Sequence, residues 1–140
     1  MLTTVRLPPL DGWRSTYWKL RRRGAFDFPV LSVAAAAKIA GDGTVEAARI
    51  VLGAVASCPV EATAAGALLV GTPLTDEAMA RAAEAAAHPA RPMDNTDFSL
   101  VWRKRVTRDF VTYALRELRG DDVRELRQRI ARQELLNLVS

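Results

Sequence analysis

Four residues have types and spacing that suit chemistry: Tyr17, Lys19, Arg23 and Asp27. A lysine supplies a compact positive charge. An arginine supplies paired donors in a rigid fork that matches a phosphate or a carboxylate. Asp27, four residues after Arg23, is placed to hold that guanidinium, and Tyr17 adds an aromatic face. With Arg21 and Arg22 between them, these residues make a short cationic stretch suited to an anionic partner such as a phosphate-bearing cofactor. The same charges also suit a solvated surface, and composition alone leaves both readings open.

No other group of residues assembles a catalytic set. The sequence has no GxSxG, GxGxxG, P-loop or CxxC motif. Cys58, in an apolar setting before Pro59, is expected to be an inert core thiol. His88, before Pro89, is expected at an exposed helix end. The pairs Asp76-Glu77 and Asp121-Asp122 read as helix caps rather than acid/base pairs. One Cys and one His cannot make a Cys/His metal site, and no spaced acidic loop of the calcium type appears.

A chain of 140 residues has the length of one domain and can bury a core. Hydrophobic residues at 49% and charged residues at 26% are ordinary for a globular protein. No apolar stretch approaches the roughly 20 residues of a membrane span, and no secretion signal opens the chain. A single cysteine excludes an internal disulfide and fits a cytoplasmic location. The net charge of +4 is mild, and no nucleic-acid recognition motif accompanies it.

The elements that must position the cationic stretch follow from periodicity. Residues 1–13, with two adjacent prolines and an Asp-Gly pair, read as an extended arm or linker. Residues 14–20 read as a strand with Thr16, Trp18 and Leu20 on one face and Tyr17, Lys19 and Arg21 on the other. The Phe28-Pro29 step favours extended backbone, so residues 30–39 read as a buried strand. Gly41-Asp42-Gly43 predicts a hairpin turn. Residues 44–55 predict a second long strand, with Val45 opposite in face to Ile50 and both faces covered from Ile50 on. Gly53 in it marks a bulge or a close backbone approach.

Helices come afterwards. Residues 61–70 predict a short helix ended by Gly71. Thr75 is the expected N-cap of a second helix, with Ala78, Met79, Ala82, Ala83 and Ala86 as its apolar stripe. Residues 94–97 read as a loop holding a cap candidate. Residues 99–118 predict the longest helix, with Val101, Trp102, Val106, Phe110, Tyr113 and Ala114 or Leu118 on its apolar face. Gly120 breaks it, and Asp121 or Asp122 caps a last amphipathic helix bearing Val123, Leu126, Ile130 and Leu135. Strands first and helices after predict the α+β class, a small antiparallel sheet of about three strands with three to four helices on one face.

Residues 17–34, YWKLRRRGAFDFPVLSVA, resemble the opening of the C-terminal domain of the flavin-binding subunit of molybdenum hydroxylases. This is the carbon monoxide dehydrogenase and xanthine dehydrogenase family. Further matches follow in order: residues 48–56, residues 68–71, residues 74–77, then Pro92, Asp94, Ser99, Trp102-Arg103 and Ala114-Leu115. The resemblance spans residues 7–118. It departs at Glu61, where the family usually has Arg, at Gly66, where it usually has Glu, and at Trp102, where it usually has Tyr. The paired loss at 61 and 66 implies a lost internal ion pair. The family's glycine-rich FAD-phosphate segments are absent, so the chain is expected to be a piece of a larger subunit.

The resemblance implies a flavoprotein C-terminal-like domain over residues 14–119, with residues 120–140 as an additional amphipathic helix. It implies FAD shared with an absent N-terminal domain, with Lys19 contacting the cofactor and Arg23 supporting it. It also implies molybdopterin and iron-sulfur subunits as partners, and a part in passing electrons from iron-sulfur clusters to FAD. The isolated domain is expected to be inactive and not to hold FAD tightly, because one cationic edge does not replace a phosphate cradle. Self-association is expected if truncation uncovers apolar surface. The rival expectation is a free-standing, non-enzymatic module that binds a partner protein.

Overall fold

The computed structural model describes residues 3–6, 9–23, 27–92 and 98–132. The fold is α+β. Its antiparallel sheet has the order β1-β2-β3-β4, with β1 Trp13–Arg21, β2 Pro29–Ile39, β3 Val45–Gly53 and β4 Val60–Glu61. The helices are α1 Thr63–Leu69, α2 Asp76–Ala87, α3 Leu100–Arg119 and α4 Arg124–Ala131. The fourth strand corrects the expectation of about three. The alanine-rich continuation of Glu61 predicts helix from that residue, but Val60 and Glu61 pair with Leu52 and Val51, so helix begins only at Thr63.

In β1 the alternation holds. Trp18 and Leu20 are buried, while Tyr17, Lys19 and Arg21 lie on the other face. The β2–β3 turn is closed by bonds from Ala40 N to Thr44 O and from Gly43 N to Ala40 O, and Gly43 has φ of +88°. The expected alternation of β3 fails at its start. Val45 and Ile50 are both buried, although strict alternation over their odd offset would put them on opposite faces. The β2–β3 register shifts between Lys38 and Ile39, which inserts Glu46 as an extra residue and flips the faces beyond it.

The helices pack on the face formed by Trp18, Leu20, Leu31, Val33, Ala35, Ala37, Ile50 and Leu52. The opposite face carries no helix among the described residues. Arg49 is exposed there and Val51 only half-buried, so β3 is not covered on both sides as its apolar run implied.

Thr75 caps α2 as expected, its hydroxyl accepting from Ala78 N at 3.2 Å, and the whole alanine-methionine stripe is buried. Alanine there lets helix axes approach closely. In α3, Ser99 is the N-cap and accepts from Trp102 N at 3.2 Å, while the cap candidate at residues 94–97 lies outside the described residues. The buried face of α3 adds Thr107, Val111 and Leu115 to the expected set. Val101 is 80% exposed instead, because it sits in the first turn beyond the edge of the sheet-facing stripe. Gly120 ends α3 in the left-handed conformation. Neither Asp121 nor Asp122 is the N-cap of α4. That position is Val123, although Asp122 accepts from Arg124 N at 3.1 Å. Leu135 lies outside the described residues.

Gly66 decides how closely α1 sits on the sheet. A Cβ there would come within 2.8 Å of the Ala48 carbonyl oxygen, a backbone atom with little freedom to move. Alanine normally favours a helix interior by about 1 kcal/mol over glycine. Overpacking costs about 1–3 kcal/mol. Gly66→Ala is therefore expected to be a net loss of about 1 kcal/mol, read as a lower denaturation midpoint. A raised midpoint would show that α1 has room to shift.

Candidate functional site

The four residues of the cationic stretch come together as their spacing implied, but the lysine and the arginine converge on one residue. Lys19 Nζ donates to the Asp27 carbonyl oxygen at 2.9 Å. Arg23 Nη2 lies 3.2 Å from Asp27 Oδ1, and Arg23 N donates to Asp27 Oδ2 at 3.0 Å. The Arg23 side-chain bond holds the Asp27 carboxyl below the usual carboxylate range. Phe28 N donates to the same carboxylate at 2.9 Å, which fixes the turn that leads into β2. Asp27 thus anchors both cations from one point, through its carbonyl for Lys19 and its carboxylate for Arg23.

The sheet supplies the floor beside them. Pairing places Lys19, Ser32 and Gly53 in one row across the helix-free face. The next rows are Tyr17, Ala34, Val51 and Glu61, then Ser15, Ala36 and Arg49. The middle strand β2 contributes only Ser32, Ala34 and Ala36 to these rows, beside the exposed Tyr17 ring, so another layer can approach the β2 backbone closely. A Cβ at Gly53 would meet Ser32 Oγ, which would have to turn aside. Arg49 and Glu61 close the far side as a bidentate pair at 3.0 and 2.9 Å. Glu61 thus has an ion-pair partner in β3, while Gly66 supplies none.

The part of the site that periodicity did not disclose comes from the end of the chain. Arg127 of α4 grips Glu117 of α3, with Nη2 at 2.6 Å and Nε at 3.2 Å from its two carboxylate oxygens. The same guanidinium donates to Thr16 Oγ1 at 2.9 Å and lies 4.1 Å from the centre of the Trp18 ring. Glu117 also accepts from Trp18 Nε1 at 2.9 Å and from Thr16 Oγ1. Burial works against ionisation of Glu117, yet the bonds from Arg127, Thr16 and Trp18 outweigh it and hold its carboxyl below the usual range. This network joins β1, α3 and α4. The signal available in advance was weak: one arginine among many on a basic helix.

Between β1 and α4 lies a groove of about 250 Å³ lined by Tyr17, Trp18, Lys19, Arg21, Arg23, Arg127, Ile130 and Ala131. Cys58 is not part of any such site. It is exposed, contrary to the expectation of a core thiol, because Pro59 separates two strands and the preceding loop runs over the surface. His88 is the exposed C-cap of α2. Among the described residues no group of three or more His, Cys, Asp or Glu is placed to hold a metal ion, and no helix is long and apolar enough to cross a membrane.

Comparison with known proteins places this arrangement. No curated protein matches the chain. Among solved structures it is similar to a chain of carbon monoxide dehydrogenase from Hydrogenophaga pseudoflava lacking the Mo-pyranopterin moiety of the molybdenum cofactor. That match has 32% identity and a TM-score of 0.69, over 74% of this chain and 36% of that one. It is similar to reconstituted CO dehydrogenase from Oligotropha carboxidovorans, with 26% identity and a TM-score of 0.74, over 84% of this chain and 40% of that one. Quinoline 2-oxidoreductase from Pseudomonas putida 86 matches with 27% identity and a TM-score of 0.70, over 79% of this chain and 38% of that one. The chain therefore spans less than half the length of the solved chains it matches. The family model for the CO dehydrogenase flavoprotein C-terminal domain matches residues 15–118. With the sheet, the helices and the ordered sequence matches all in agreement, the chain belongs to the CO dehydrogenase flavoprotein C-terminal domain family.

Proposed function

We propose that this chain serves as the C-terminal domain of the FAD subunit of a molybdopterin-dependent dehydrogenase, where it covers the flavin site. The observation that carries this reading is the helix-free sheet face, with its small-residue floor and Lys19 at its edge, in a chain of this family. Along β2 the face carries only Ser and Ala, which lets a second layer come close, and the lysine would meet an anionic or electron-rich edge there.

The residues fit one charged edge of FAD and not the whole cofactor. Cations line the β1–α4 groove, but its volume of about 250 Å³ falls below the range of pockets that enclose a drug-sized ligand. Lys19 would contact the cofactor, and Arg23 would support it by holding Asp27, whose carbonyl orients the ammonium. FAD, when bound, supplies the electron-accepting ring. Its remaining contacts belong to an N-terminal FAD-binding domain, with molybdopterin and iron-sulfur subunits as the source of electrons. Substrate choice belongs to those other subunits, and the isolated chain is inactive.

FAD titrated into the chain alone is expected to give a dissociation constant above ~1 µM, because the cofactor's ordering cost is met by few contacts. Adding the FAD-binding portion of a family member is expected to increase flavin retention, and Lys19→Gln is expected to reverse that gain. Submicromolar binding by the chain alone, or retention indifferent to Lys19→Gln, sinks the reading.

A further inference from the structure

We propose that the outer edge of β1 is a pairing site for a second copy of this chain, and that α4 is the guard that keeps the site closed. The inference goes beyond the flavin reading and does not depend on it.

Strand β1 is the edge of the sheet, and among the described residues only β2 pairs with it. An edge strand carries N–H and C=O groups with no ladder partner, and such a row is a template for another strand. Arg127 marks which groups point outward. Its Nη1 and Nη2 each donate to the Tyr17 carbonyl oxygen at 3.4 Å. In an extended strand the N–H and C=O of one residue point the same way, and alternate residues repeat that direction. The outward set therefore includes Ser15, Tyr17 and Lys19. A strand added here would lie roughly 4.8 Å from β1 and put an N–H where the Arg127 guanidinium sits. Pairing and the docked α4 exclude each other.

The guard is held at few points. Helix α4 lies outside residues 15–118, which the family match covers. None of its residues is fully buried, so hydrophobic burial contributes little to its position. Its place is set instead by Arg127, which engages Glu117, Thr16 and the Trp18 ring together. One side chain thus closes the edge.

The strand's own sequence favours a second copy as the occupant. Strand β1 keeps a regular register with β2 up to the shift after Leu20. Within that run, the stretch from Arg14 to Leu20 is centred on Tyr17. A twofold axis there sets Tyr17 against Tyr17, Ser15 against Lys19, Thr16 against Trp18 and Arg14 against Leu20. No cation of this stretch directly faces another, which removes the repulsion that like charges cause across a ladder. The surface that Arg127 leaves is also covered again, by Thr16 and Trp18 of the two copies. Arg14 is exposed and shares their face by alternation. It comes diagonally across from the second copy's Trp18, whose indole is bonded to Glu117. Arg14 then takes the place of Arg127 as the cation beside that carboxylate. Two four-stranded sheets become one continuous sheet.

The test is the mass of the full chain by size-exclusion chromatography with light scattering, at about 100 µM. The wild type is expected to be a monomer. Arg127→Ala removes the hold on α4 and leaves Glu117 bonded to Trp18 and Thr16, and is expected to form a dimer. Deletion of residues 120–140 is expected to do the same, with no α4 left to linger at the edge. In the Arg127→Ala chain, Arg14→Glu is expected to weaken the dimer by about tenfold or more, because like charges then meet at Glu117. Arg81→Glu, the same change of charge at an exposed position of α2, is expected to leave it unchanged. Hydrogen exchange at the amides of Ser15, Tyr17 and Lys19 is expected to slow as the concentration of Arg127→Ala rises through dimerisation. The proposal is overturned if both unguarded variants stay monomeric, or if the wild type already dimerises through β1. A dimer whose β1 amides gain no protection overturns it too, as does equal weakening by the two glutamate variants. None of these failures touches the flavin-retention assay.

Discussion

Trp18→Ala is expected to lower folding stability by about 3–5 kcal/mol, the range for removing a buried large aromatic. Domains of this kind have a total of about 5–15 kcal/mol, so the loss would take a large share of the stability. Trp18 is 2% exposed and sits at the junction of every layer. Its ring meets Phe110 edge-on at 6.3 Å and Tyr113 at 5.7 Å, both on α3. Arg127 covers its outer side, and its indole N–H is satisfied by Glu117. Alanine would leave a cavity below α3 and remove the ring on which α4 rests. Trp18→Phe keeps most of the ring contact and loses the N–H bond, so its loss should be smaller, about 1–2 kcal/mol. Chemical denaturation followed by circular dichroism ranks the three proteins. Equal midpoints for the wild type and Trp18→Ala would refute this account of the core.

Glu117→Ala is expected to release α4 and to cost about 1–3 kcal/mol, a range kept low because the pair is partly solvated. The substitution removes the acceptor of Arg127, Trp18 Nε1 and Thr16 Oγ1 together. The pH dependence has a definite sign. The folded state holds the Glu117 carboxyl below its ordinary value, so the unfolded chain takes up this proton first as the pH falls. The stabilisation is therefore complete above an ordinary glutamate pKa of about 4.3 and is lost as the pH falls through the lower folded-state value. Glu117→Gln cannot ionise and lacks this contribution. The stability difference between the wild type and Glu117→Gln should shrink as the pH falls from 6 towards 3, which ~0.5-unit steps of denaturation would resolve. A difference that stays constant across that window would show that ionisation of Glu117 does not hold the network.

Most of the cationic stretch was legible in advance because its partners are close in sequence. Arg23 and Asp27 are only four residues apart, so their pairing needs nothing from distant parts of the chain. Lys19 reaching the Asp27 carbonyl is the same kind of local event. Cys58 is exposed where its sequence setting predicts burial, for a related reason. Its apolar neighbours in sequence are not its neighbours in space, since the loop before Pro59 leaves the sheet. Likewise Val101 fits an apolar spacing on α3 yet faces solvent, because periodicity defines a stripe and not where the sheet ends beneath it.

By itself the amino-acid order determined the strand alternation of β1, the Gly-Asp-Gly turn, the cap at Thr75 and the break at Gly120. Each depends on φ/ψ preference or on a hydrogen bond within a few residues. Three things were decided only by the packed chain: the bulge that turns Val45 inward, the closeness of α1 over Gly66, and the docking of α4 on β1 through Arg127 and Glu117. The reason is that side-chain periodicity states which face of an element is apolar. Which partner meets that face, and at what separation, is settled by volumes and donors on other elements that act only once the layers close, about a hundred residues away in the case of Thr16 and Trp18 with Glu117.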